Sequence, residues 1–324
     1  MKKEDLRIVF MGTPEFAVET LKALVDNGYD VVAVVTQPDK PVGRHGSVLQ
    51  PSAVKQYALE HGLPVLQPEK MKDPAFVEEL RSFKANLQVV VAFRMLPEVV
   101  WAMPAYGTFN VHAALLPQYR GAAPINWAVI NGETQTGVTT FFLDHDIDTG
   151  RIIMQLPFAI PDDADVEYVY DGLMHLGAEI CLQTLDRIIA ADGHPASTPQ
   201  ITDSLTPELK PAPKIFKETC EISWSQSAKQ VYDFVRGLSP YPGAWTTLKS
   251  PDGKDTVLKI FRTTKTTQPA KGPAGQVTAD RKHLYVSCQD YLLQIDELQL
   301  AGKKRMDAQA FLNGMKDIEK YFLS

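Results

Sequence analysis

The first half of the chain alternates between two hydrophobic periods. Residues 6–11 (LRIVFM) form a short apolar run rich in branched side chains that stops at Gly12, as a buried strand does. Thr13, Pro14 and Glu15 then supply a cap, a first-turn proline and an early acid. Phe16, Leu21, Leu24 and Val25 continue as a helical stripe that ends near Gly28. The same reading predicts strands over 31–35, 87–93, 108–112, 138–143 and 152–160, with helices over 54–60 and 74–83. Residues 165–191 form a long amphipathic helix, with Tyr168, Leu173, Leu176, Ile180 and Leu185 among its apolar members. Strands that alternate with helices build a mostly parallel sheet covered on both faces, the α/β class.

The pattern breaks at 193–213, where Gly193, Pro195, Pro199, Pro207, Pro211 and Pro213 sit among Ser and Thr. That composition makes a semi-rigid linker. Beyond it a helix (227–237) precedes short alternating runs at 245–249, 257–263, 284–288 and 292–300, which predict a small β-barrel. The expected division is therefore 1–192, a linker at 193–213, and 214–324.

Composition adds exclusions. No apolar stretch approaches the roughly 20 residues of a membrane helix, so no membrane partner is expected. Met1-Lys2-Lys3-Glu4-Asp5 leads into the first strand without the apolar core of a secretory leader, which points to the cytoplasm. Cys181, Cys220 and Cys288 are odd in number and far apart, so neither a disulfide framework nor a zinc site is expected. The net charge of −6 hides an asymmetry. Residues 1–204 hold 15 Lys and Arg against 26 Asp and Glu, a net of −11, while 205–324 hold 18 against 13, a net of +5. A basic domain on an acidic body suits a local polyanion contact but does not by itself establish one.

Three familiar α/β chemistries are missing: no G-x-G-x-x-G follows the first strand, and neither a Walker loop nor a G-x-S-x-G elbow occurs. The informative segment is 110–124. Asn110 and His112 stand two apart at a strand's end and so share a face; in parallel sheets ligands gather at that end. An amide can hydrogen-bond a developing oxyanion and an imidazole can move protons, which suits acyl transfer. Equally, Asn110 could close a turn and His112 be a buried structural histidine. Asp144, Asp146 and Asp148 begin like a calcium loop, but Thr149 and Gln155 occupy the positions where such loops need Gly and Glu. What remains is a solvated loop or a single carboxylate serving the Asn110–His112 pair.

Segments 110–124 and 144–150 together resemble the signature of the folate-dependent formyltransferases. The likeness extends to 10–17, to the loop 36–41 with Gly43 and Arg44, to 137–140, and to 212–215 and 237–244. It implies a Rossmann-like formyltransferase fold followed by an OB-like barrel. It also implies that Asn110, His112 and Asp148 are catalytic, and that 10-formyltetrahydrofolate is the formyl donor, with no metal required. Folate contacts are implied for Phe93, Leu96, Ala114, Leu115, Leu116 and Pro117. The second-domain motifs resemble most closely those members that formylate methionine on initiator tRNA, by direct amine attack through a tetrahedral intermediate. A monomer that binds initiator methionyl-tRNA and reduced folate is thus expected, with Arg44, Lys214, Lys217 and Arg236 facing the tRNA and Lys303, Lys304 and Arg305 as additional cations. Two departures stand out. Ala114 replaces the family's usual Ser, and the loop after Arg44 reads His45-Gly46-Ser47-Val48-Leu49 where further lysines are usual. A formyltransferase acting on an amino-sugar nucleotide, and a binding protein without catalysis, are the competing readings.

Overall fold

The structure is a computed structural model that describes residues 1–203 and 207–324; residues 204–206, inside the predicted linker, lie outside it. It forms two compact units: 1–121 with 135–159 and 170–211, and 122–134 with 160–169 and 212–324.

In order along the chain, the first half runs β1 (Arg7–Gly12), α1 (Glu15–Asp26), β2 (Asp30–Val35), β3 (Lys40–Val42), β4 (Val48–Gln50), α2 (Ala53–Glu60), β5 (Val65–Leu66), α3 (Pro74–Ser82), β6 (Leu87–Val91), α4 (Glu98–Trp101) and β7 (Thr108–His112). It continues through α5 (Pro124–Ile130), β8 (Gln135–Phe142), β9 (Ile152–Ala159) and α6 (Val166–Ala190). Seven strands form the first unit's sheet in the order β5-β2-β1-β6-β7-β8-β9. Pairings from β5 to β7 are parallel and the last two are antiparallel, so the expected mostly parallel α/β sheet is present. The strands are buried on both faces, as apolar runs are, and Val9, Met11, Ala33, Val35 and Val90 pack with Phe76, Val77 and Leu80 of α3 on one of them.

The second unit holds α7 (Ala228–Leu238), β10 (Ala244–Lys249), β11 (Thr256–Pro269), β12 (Val277–Ala279), β13 (Leu284–Ser287), β14 (Tyr291–Leu300), β15 (Met306–Asp307), α8 (Ala308–Asn313) and β16 (Phe322–Leu323). Ser227 caps α7 in a reciprocal box with Gln230. The strands run β12-β13-β14-β11-β10-β16, all antiparallel. A bridge between Gln276 and Phe322 nearly closes the sheet, which bears out the expected barrel. Gly275 makes closure possible: its φ is +92°, and a Cβ there would stand 2.0 Å from the Leu323 carbonyl oxygen. Within this unit α5 packs on α7, with Asn126 Nδ2 donating to the Gly237 carbonyl at 3.0 Å.

Candidate active site

β7 lies between β6 and β8, deep in the sheet, and delivers Asn110 and His112 to one face. His112 is 6% exposed. Its Nε2 lies 2.8 Å from the carbonyl oxygen of Tyr119, which can only accept, so Nε2 carries a proton and donates. Nδ1 faces Asp148 Oδ2 at 3.8 Å. One ring nitrogen is thus fixed by a backbone carbonyl, and the other is turned toward a carboxylate. Tyr119 and Asp148 each have left-handed backbone, with φ of 60° and 55°. Such residues cost about 1–3 kcal/mol apiece and persist where their surroundings over-determine them.

The surroundings do so. Asp148 Oδ2 accepts from the Gly121 amide at 2.9 Å. Gln200 Nε2 donates to the carbonyls of Asp148 and Gly150 at 2.8 and 2.9 Å. Gln200 Oε1 in turn accepts from Arg120 Nη2 at 2.7 Å and Nε at 3.2 Å. The Tyr119 amide donates to the Lys210 carbonyl at 2.8 Å. Of the other two acids in the loop, Asp144 accepts from the Asp146 amide at 3.1 Å and Thr149 Oγ1 at 2.7 Å, while Asp146 is exposed. Asp148 is thus the one that reaches the imidazole. Beside it, Asn110 Oδ1 is buried with no hydrogen-bond partner among the described residues. An amide oxygen left in that state costs about 1–3 kcal/mol, a penalty that a bound donor would remove.

The loop after β7 is braced from β8 and β9. Thr139 Oγ1 donates to the Ala114 carbonyl at 2.6 Å and accepts from the Leu116 amide at 3.2 Å. Gln155 Nε2 donates to Leu116 O and Thr139 Oγ1, both at 2.9 Å. Ala114 and Leu116 are consequently buried, and Leu96 is buried in the core with Val90 and Val100. Leu115, Pro117 and Phe93 keep open surface. The expected folate contacts thus divide into three residues that present a surface and three that support it. Sequence reasoning gave no role to Thr139, Gln155, Arg120 or Gln200. Thr139 stands in a segment that carried the resemblance; Gln200 sits in the Pro-rich stretch with no local signal at all.

Residues 6–185 match the formyl transferase family, and residues 214–316 match formyl transferase, C-terminal domain. The chain belongs to the formyl transferase family. A protein of Parabacteroides distasonis named methionyl-tRNA formyltransferase is 62% identical over 99% of this chain and 99% of its own length. One from Bacteroides fragilis with the same name is 56% identical over 99% of this chain and 98% of its own. Among solved structures, the N-formyltransferase of Helicobacter canadensis, in complex with folinic acid and dTDP-3-aminofucose, matches with a TM-score of 0.64 at 19% identity. It covers 93% of this chain and all of that one. HypX from Aquifex aeolicus, in complex with tetrahydrofolic acid, gives 0.62 at 20% identity over 95% of this chain, which spans 47% of HypX. At such identities the likeness is one of fold.

The cations of this formyl transferase differ in availability. Arg44 is exposed in the hairpin of β3 and β4, and Lys214 and Lys217 are exposed at the start of the C-terminal region, Lys214 Nζ lying 5.5 Å from the Phe216 ring centre. Lys303 and Lys304 are exposed, whereas Arg305 pairs with Glu297. Arg236 is not presented to solvent. It is 7% exposed, its Nε donates to Asp233 Oδ1 at 2.9 Å, and Nη1 donates to the carbonyls of Ala164 at 3.0 Å and Pro161 at 3.3 Å. A guanidinium so engaged is a structural tie, and it leaves Arg236 no face for the tRNA contact expected from the sequence. Among the described residues no three His, Cys, Asp or Glu side chains form a metal-binding group, and no helix is long and apolar enough to cross a membrane.

Proposed function

We propose that this formyl transferase moves the formyl group of 10-formyltetrahydrofolate to the α-amine of methionine on initiator tRNA, for translation initiation. The observation that carries the reading is the 62% identity, along nearly all of both chains, to a protein named methionyl-tRNA formyltransferase. The acceptor's amine attacks the donor's electrophilic formyl carbon directly. The adduct then collapses by breaking the bond to the folate's N10, which departs as the amine of tetrahydrofolate with a proton that the attacking nitrogen gives up. Before collapse the negative charge sits on the formyl oxygen. His112, held by Tyr119 and facing Asp148, stabilises that charge and handles the protons. Asn110 has an amide nitrogen to donate to the same oxygen, while its unpaired Oδ1 suits an N–H of the attacking amine. Asp148 sets the charge and aim of His112. The reduced folate rests on Leu115, Pro117 and Phe93, over the brace built from Thr139 and Gln155. Arg44, Lys214 and Lys217 contact the tRNA, the one chain carrying both substrate surfaces as a cytoplasmic monomer.

The test is a formylation assay with 10-formyltetrahydrofolate and three acceptors: methionyl-initiator tRNA, uncharged initiator tRNA and an amino-sugar nucleotide. Formyl transfer to the first alone is expected. Transfer to the sugar nucleotide in its place would overturn the assignment of the acceptor.

A further inference from the structure

The hairpin of β3 and β4 follows directly from the carboxyl end of β2, and every residue from 40 to 50 is exposed. A two-stranded hairpin with no buried side chain has no core contact to fix its direction. Its roots are tied together instead. Asp39, immediately before β3, receives Lys55 Nζ of α2 at 3.0 Å on each carboxylate oxygen. Gln67 Nε2 adds bonds to Asp39 Oδ1 at 2.7 Å and to the Gln37 carbonyl at 3.1 Å. The hydroxyls of Thr36 and Ser52 meet at 2.7 Å, and Ser52 also caps α2 by accepting from the Lys55 amide at 3.0 Å. Three positions before the hairpin are thereby bonded to two after it and to a side chain just past β5. The bonds from Gln67 and Lys55 also hold the Asp39 carboxyl below its ordinary range, so it stays ionised at neutral pH.

The hairpin has something to aim. β2 and β7 point the same way through the parallel pairings of β1 and β6, so their carboxyl ends share one rim of the sheet. Arg44 stands at the hairpin's turn, and Val48 and Leu49 are 57% and 65% exposed on its returning strand. A cation beside bare apolar side chains suits a large acceptor more than a small donor, whose expected contacts at Leu115 and Pro117 are braced separately by Thr139 and Gln155.

We propose that Asp39, Lys55 and Gln67 form a clasp that aims the hairpin, which makes them positioning residues for the macromolecular acceptor and not for the folate donor. The inference rests on the formylation of methionyl-tRNA proposed above. It is tested in the full chain with Asp39→Asn, Lys55→Met and Lys55→Arg. Two readouts are needed: KM for methionyl-tRNA and for 10-formyltetrahydrofolate, and the rate at which trypsin cuts after Arg44 in the folded protein. If the aimed orientation falls to roughly a tenth of the population, Asp39→Asn and Lys55→Met raise the tRNA KM about tenfold and leave the folate KM within about twofold. Trypsin should cut both faster, and Lys55→Arg should restore most of the lost affinity. Unchanged tRNA KM and cutting rates, or tRNA and folate KM rising together, would overturn the clasp. Should the wild-type protein formylate no tRNA, the functional reading fails, while the cutting rates still decide the clasp on their own.

Discussion

In α7 the Asp233 carboxylate receives Arg236 Nε at 2.9 Å and Lys229 Nζ at 2.6 Å, and the remainder of the guanidinium reaches carbonyls of the 160–169 segment. In β7 the arrangement is different. His112 has one good hydrogen bond and a carboxylate at 3.8 Å, and Asn110 Oδ1 has no partner among the described residues. Both clusters are buried, yet the first is closed and the second is left open. Burying a charge is tolerated when partners are complete, so a closed cluster reads as a structural tie. A cluster held in place by left-handed residues and long-range side chains, and still incompletely bonded, has capacity reserved for a ligand.

The largest effect is expected from His112→Ala in the open cluster, which should lower kcat about 10²–10⁴-fold, as loss of a proton-handling group does. Folate binding, followed by titration in the same preparation, should survive. Next comes Arg236→Ala, which should cost about 3–5 kcal/mol of stability because it strands a buried carboxylate, with Lys229 keeping the loss toward the lower end. Urea unfolding measures it, and the fraction still folded should turn over at nearly the wild-type rate. An Arg236 variant of unchanged stability but weakened tRNA binding would reverse its assignment as a tie. Asn110→Leu should lower kcat about 10²–10³-fold if the amide serves the oxyanion. Its stability should stay within about 1 kcal/mol of wild type, since an unpaired oxygen is replaced by apolar atoms.

The smallest effect concerns pH. The hydrogen bond from Lys265, with Lys229 and Arg236 nearby, holds the Asp162 carboxyl below its ordinary range. A carboxyl lowered by folding contributes stability above its unfolded pKa of about 4, and that share disappears as the pH falls through the lowered value. Urea midpoints between about pH 5 and 2.5 should therefore drop less steeply for Asp162→Asn than for wild type. Parallel slopes would remove Asp162 from the ionic cluster around α7.

Much of the first sheet was legible because its central strands are short apolar runs, buried on both faces and bounded by polar or glycine-bearing turns. The predicted bounds of β7 match the observed ones, and α6 differs by one residue at each end. The strand predicted over 87–93 stops at Val91, because Ala92 takes a left-handed φ of 48° and Phe93 packs from a loop. Apolar character alone cannot separate those two states. The hairpin of β3 and β4 left no periodic trace, since none of its residues is buried. α5 has seven residues, too few for a stripe, and its partner α7 lies about 100 positions later. Arg236 read as a surface cation because a sequence does not show that Asp233, three residues earlier, takes it inward. Asn110 and His112 could be paired from strand alternation, but choosing Asp148 over Asp144 and Asp146 needed the resemblance. The fold separates them by giving Asp144 a turn of its own and leaving Asp146 in solvent.

Asp148→Asn bears hardest on the proposed chemistry, because it removes a charge while keeping an oxygen for the Gly121 amide. Single-turnover formylation of methionyl-tRNA, at folate concentrations well above the separately measured Kd, isolates the transfer step. The expected rate is at least about 10²-fold below wild type, with the folate Kd unchanged. Transfer at the wild-type rate by the D148N protein would show that the carboxylate facing His112 takes no part in the reaction.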